Sequence, residues 1–89
     1  EILRPVARFV DKLRLTRAVE RGDDTLVGAL CDKLGIEGVE RDRCLAPTYE
    51  EGIRRAAKIG DLSRAETLSE ARREIFRRAH NEPLRFLSR

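Results

Sequence analysis

A single histidine, two cysteines, no tryptophan and no methionine leave this chain of 89 residues short of the side chains that carry chemistry. His80 alone cannot build a histidine-based metal cluster, and a catalytic triad would have to run through that one residue. It stands between Ala79 and Asn81 at the end of a helical pattern, where a cation-forming side chain complements the helix dipole. Cys31 and Cys44 lack a partnering histidine and do not make a zinc site, and one possible bridge is not a disulfide scaffold. Both are expected as reduced thiols, with Cys31 half-buried on a helix. Aromatic residues are equally scarce. Phe9, Tyr49, Phe76 and Phe86 are 4% of the chain and fall at core-like positions, so no platform for stacking single-stranded bases is expected. The longest run of low polarity, Thr25 to Cys31, is seven residues, against the roughly 20 of a membrane-spanning helix. Gly35-Ile36-Glu37-Gly38 lacks a preceding strand and Asp23-Asp24 lacks the alternating ligands of a calcium loop. The expectation is a chain that is not an enzyme and takes neither cofactor nor metal.

What is present is charge and helical periodicity. Arginine outnumbers lysine sixteen to three, a bias that suits bidentate contact with phosphate or dense pairing with surface carboxylates; a coding sequence rich in G and C accounts for it equally well. Net charge is uneven: +3 over residues 1–21, −4 over 22–71 and +4 over 72–89. Basic ends around an acidic middle suit binding of a polyanion, or end-to-middle contact between copies. No leader or targeting segment is visible, and a start at Glu1 without any methionine suggests a single helical domain, residues 1–89, excised from a longer protein. An intracellular setting, cytoplasmic or nuclear, is expected.

Apolar residues recur at three-and-four spacing and predict an all-α fold, a compact bundle of four helices over approximately 4–21, 24–34, 48–59 and 62–80 with a short apolar tail. Pro5 suits a first turn, and Gly22 and Gly35 are stops for the first two helices. Asp23 or Asp24 caps the second, whose face is Leu26, Val27, Leu30, Cys31 and Leu34. Residues 36–47, with Gly38, the charged run Glu40–Arg43 and Pro47, read as a loop with at most one helical turn. Thr48-x-x-Glu51 and Ser63-x-x-Glu66 read as capping boxes that open the third and fourth helices. The apolar face of the third is Ile53, Ala56, Ala57 and Ile59. That of the fourth is Leu62, Ala65, Leu68, Ala71, Ile75, Phe76 and Ala79.

The first helix carries two apolar faces displaced along its length. Ile2 to Leu13 form one, and Leu15, Ala18 and Val19 lie round the other, with Arg17 and Glu20 where the first stripe would continue. One face packs at home and the other meets a partner, most simply a second copy, or else the helix is central in its own bundle. Val6, Phe9, Val10 and Leu13 are the expected partner interface, and Val6→Asp with Val10→Asp is expected to yield a folded monomer. The alternative function is sequence-independent binding of double-stranded nucleic acid, most plausibly RNA. Arg4, Arg8, Lys12, Arg14, Arg17 and Arg21 would contact phosphates, with Arg73 and Arg77 on a second basic helix alongside. Against it, Glu66, Glu70 and Glu74 step beside the arginines of the fourth helix and pair with them at helical spacing. Arg21-Gly22-Asp23 spells an integrin-binding tripeptide, and glycine as helix stop with aspartate as the next cap explains the same letters.

Overall fold

A computed structural model of the chain describes the backbone of residues 3–81 and the side chains of residues 7–80. It holds four helices, α1 Leu3–Arg21, α2 Asp24–Leu34, α3 Gly38–Lys58 and α4 Leu62–Asn81, and no strand among the described residues. The chain is an all-α four-helix bundle. Its first three helices stop in the same way. A glycine accepts the left-handed turn, at φ 70° for Gly22, 70° for Gly35 and 79° for Gly60. The next residue's N–H then reaches back to a carbonyl of the last turn: Asp23 to Ala18 at 3.0 Å, Ile36 to Cys31 at 2.8 Å and Asp61 to Ala56 at 2.8 Å. Aspartates open α2 and α4, whereas α3 starts after Glu37 without a side-chain cap. Asp23 accepts the Leu26 N–H at 3.2 Å, and Asp61 accepts the Arg64 N–H at 3.1 Å. The cap of α4 is therefore Asp61 and not the expected Ser63, because the carboxylate is the first acceptor after the Gly60 turn.

Residues 36–47 are the larger correction. The expected loop is mostly helix, since α3 begins at Gly38 and runs through Pro47. Thr48 is not a cap. Its side chain is fully buried inside the helix, and its hydroxyl donates to the Cys44 carbonyl at 2.6 Å. A seam of Cys44, Leu45, Thr48, Gly52 and Ala56 at three-and-four spacing carries the helix past Pro47, which lies on the exposed side. Burial of that seam outweighs a proline in a helix interior, a cost of about 3 kcal/mol. The expected face of the third helix is corrected with it: Ala56 is buried, Ile53 half-buried, and Ala57 and Ile59 are exposed.

Helix α3 is the centre of the molecule, packed against α1, α2 and α4, while α4 packs along α3 and not along α1. The main core joins Leu15 and Ala18 of α1 to Val27, Leu30, Cys31 and Leu34 of α2, with Val19, Leu26, Ile36, Cys44 and Leu45 against it. Cys31 is completely buried, more than the half-burial expected. Leu68 and Ile75 are the residues that α4 buries, whereas Leu62, Phe76 and Ala79 of its expected stripe are exposed. Phe9 and Phe76, expected as core-like, are both exposed; Tyr49 is half-buried. Phe86 and the tail 83–89 lie outside the described residues.

Two glycines set how closely these helices approach. A Cβ placed on Gly22 would lie 2.6 Å from the Gly52 nitrogen, and one on Gly52 would lie 2.8 Å from Leu68 Cδ1. The α1–α2 turn, the middle of α3 and the side of α4 thus stack through two positions without side chains. Ion pairs stitch the rims: Asp11–Lys33 at 3.2 Å, Asp24–Arg64 at 2.9 Å, Glu50–Arg72 at 2.9 Å and Asp42–Arg78 at 2.8 Å. The assembly of helices is flat, 46 × 40 × 14 Å.

Candidate functional site

The structure settles which face of α1 is at home. Leu15 and Ala18 turn into the core, while Phe9, Val10 and Leu13 are 61%, 45% and 46% exposed on another side of the helix. Upstream of Leu15 the inward face is not apolar. Asp11 takes that place, 5% exposed, held by Lys33 Nζ at 3.2 Å and Arg14 at 3.8 Å. One turn earlier, the Arg8 guanidinium donates to the Leu34 carbonyl at 3.4 Å, closing the end of α2. These polar anchors occupy the inner side, and Phe9, Val10 and Leu13 face solvent. Asp11 does not stand out in the sequence; its signal is the spacing 11, 15, 18, which continues the core stripe through a carboxylate. The side chains of Val6 and Arg4 lie outside the described residues.

The cations expected to act together are dispersed. Arg8 donates to the Leu34 carbonyl and Arg14 lies 3.8 Å from Asp11, and Arg8 with Lys12 falls on a different side of α1 from Arg14, Arg17 and Arg21, which share one side at helical spacing. On α4, Arg73 pairs with Glu70 at 2.7 Å and Arg77 with Glu74 at 2.5 Å. The Arg77 guanidinium holds the Glu74 carboxyl below its ordinary range. Since α4 follows α3, Arg73 and Arg77 do not line up beside α1 as a second basic helix. Arg72 and Arg78 reach back to α3, and the Arg72 guanidinium also covers the Phe76 ring at 4.6 Å. His80 is exposed at the end of α4.

A different cationic cluster, one not singled out in the sequence, forms where the ends of all four helices meet. A groove of about 660 Å³ is floored by Gly22, Gly52 and Ala56 and walled by Arg21, Arg54, Arg55, Lys58 and Arg64, with Ile59 on its edge. Asp23 is the one acid in its lining. Glu51, behind the wall, holds Arg54 and Arg55 at 2.5 and 2.7 Å, and their hydrogen bonds lower its own carboxyl. Arg64 is braced by Asp24. Arg21 and Lys58 have no carboxylate partner among the described residues. The available signal was the basic last turn of α3, Arg55 and Lys58, ahead of the Gly60 stop. The tripeptide Arg21-Gly22-Asp23 is absorbed here structurally: Gly22 is buried against Gly52, and Asp23 caps α2.

Cys31 on α2 and Cys44 on α3 are free thiols, and burial pushes the Cys31 thiol above its ordinary range, with Cys44 beside it acting in the same direction. Among the described residues no three His, Cys, Asp or Glu side chains are grouped to hold a metal ion, and no helix is long and apolar enough to cross a membrane. No family model matches this chain, and comparison with curated proteins and with solved structures finds no match either.

Proposed function

We propose that this chain is a non-catalytic helical association module, and that a second copy covers the Phe9, Val10 and Leu13 face of α1. The observation that carries the reading is the exposure of these three side chains on a helix whose other side already meets the core. Removing each from water on association contributes about 1 kcal/mol. The flatness of the backbone supports it too, since a helix trace 14 Å in its thinnest dimension has broad faces available for contact. Pairing between copies fits the residue order. In an antiparallel, two-fold contact Val10 sits against Leu13 of the partner subunit, and Arg17 passes the N-terminal apolar turns. A parallel contact would set Arg17 against its own copy. Less supports the duplex-binding alternative, because six of the eight cations expected for it lie on α1, two of those are committed to its own fold, and the α4 pair is neutralised by glutamates.

Sedimentation equilibrium across a wide concentration range tests the proposal. The expected result is a dimer for the natural chain, and a monomer of unchanged helical circular dichroism for the Val10→Asp, Leu13→Asp double variant. A dimer that survives the double substitution would place the contact elsewhere. A natural chain that stays monomeric overturns self-pairing and leaves a different protein as the occupant of this face.

A further inference from the structure

The groove at the meeting of the helix ends has the composition of a recognition site, and it is independent of the α1 face. Five cations and one acid line it, drawn from α1, α3 and α4 and the α1–α2 turn. Residues at positions 21, 54–58 and 64 converge because Gly22 and Gly52 let the turn press onto α3 and Leu68 hold α4 alongside. The cationic wall is not wholly consumed internally. Glu51 and Asp24 brace three of the arginines, which fixes their forks, while Arg21 and Lys58 remain without a carboxylate partner among the described residues.

We infer that this groove binds a short acidic peptide segment carrying an apolar side chain. Charge complementarity selects an anion, and braced guanidinium forks suit carboxylates as well as phosphates. The apolar element decides between them. Ile59 is 80% exposed on the groove's edge and Leu62, at the adjoining turn, is 73% exposed. A phosphodiester backbone has nothing to place against these two side chains, whereas a leucine or phenylalanine flanked by glutamates covers them while its neighbours meet Arg21, Arg55 and Lys58.

The test is fluorescence anisotropy at low and moderate salt with three labelled probes. They are an octapeptide with two central leucines flanked by glutamates, its counterpart with lysines replacing the glutamates, and a short RNA duplex. The acidic peptide is expected to bind saturably and the lysine peptide not at all. Arg21→Gln with Lys58→Gln, both exposed and compatible with the fold, is expected to weaken the acidic peptide at least about tenfold. Ile59→Asn separately weakens it, while Lys12→Gln with Arg17→Gln on α1 leaves it unchanged. The Val10→Asp, Leu13→Asp variant retains binding, so this inference and the self-pairing of α1 fail separately. Absence of saturable binding to the acidic peptide overturns the inference. So does an equal loss in the α1 charge variant, which would mark general attraction, and so does RNA binding that alone depends on Arg21 and Lys58, which would make the groove a phosphate site.

Discussion

At the scale of single residues, two glycines set how closely the helices approach. Gly22 combines a left-handed backbone with a neighbour that cannot move, since its missing Cβ would strike the backbone of Gly52. Gly52 is in ordinary helical conformation, and its missing Cβ would meet the end of Leu68, which can shift, and the Gly22 carbonyl at 3.3 Å. Gly35 shares the left-handed backbone but has nothing within 4 Å. The three alanine variants therefore separate backbone strain from crowding. Gly35→Ala carries strain alone, about 1–2 kcal/mol, which lowers the melting temperature by roughly 4–8 °C for each kcal/mol. Gly52→Ala carries crowding alone, about 1–3 kcal/mol. Gly22→Ala carries both and is expected to be the most destabilised, by thermal unfolding followed in circular dichroism. A Gly22→Ala protein as stable as Gly35→Ala would show that the turn does not press on α3.

At the scale of elements, helices α1, α2 and α4 were legible from apolar spacing, the glycine stops and the acidic cap of α2, though the cap of α4 was misplaced at Ser63, and α3 was legible only in its second half. Gly38, the charges of 40–43 and Pro47 are each signals of a loop. They were outvoted by a seam in which Thr48 and Gly52 serve as core residues, and neither reads as apolar. The same substitution of small or polar residues for apolar ones hid the inward face of α1, where Asp11 occupies a core position. The exposed Phe9, Val10 and Leu13 were identifiable as one of two faces, but choosing the outer one required the packing of α2. The cationic groove was illegible for a different reason: its residues come from positions 21, 54–58 and 64 and meet only through the glycine contact. Pro47 offers a test of the element. It removes an N–H that would bond the Arg43 carbonyl and sits on the exposed side, so Pro47→Ala is expected to stabilise the protein by about 1–3 kcal/mol. A higher urea midpoint for the variant, at unchanged slope, is the confirming measurement; an unchanged midpoint would mean that α3 is bent there by design of its packing.

At the scale of the whole molecule, α4 is the least integrated helix. It buries Leu68 and Ile75 against α3 and is otherwise tied by the ion pairs of Arg64, Arg72 and Arg78, each exposed and worth about 1 kcal/mol or less. Helix α2, shorter by almost half, buries Val27, Leu30, Cys31 and Leu34. Native-state hydrogen exchange is therefore expected to show α4 amides opening at a lower free energy than those of α2 and of the central α3; equal protection throughout would make the bundle one cooperative unit. The 14 Å thickness has a consequence for how such a chain can change over time. In so flat an arrangement of helices few of the described residues are buried. Packing constrains the other positions little, so outside the α1 face and the cationic groove descendants of this fold can drift far in sequence while keeping the pair Gly22 and Gly52, the stops Gly35 and Gly60, and the small set of buried residues around Val27 and Cys31. Kinship would then be carried by a handful of spaced small residues and hardly at all by percentage identity.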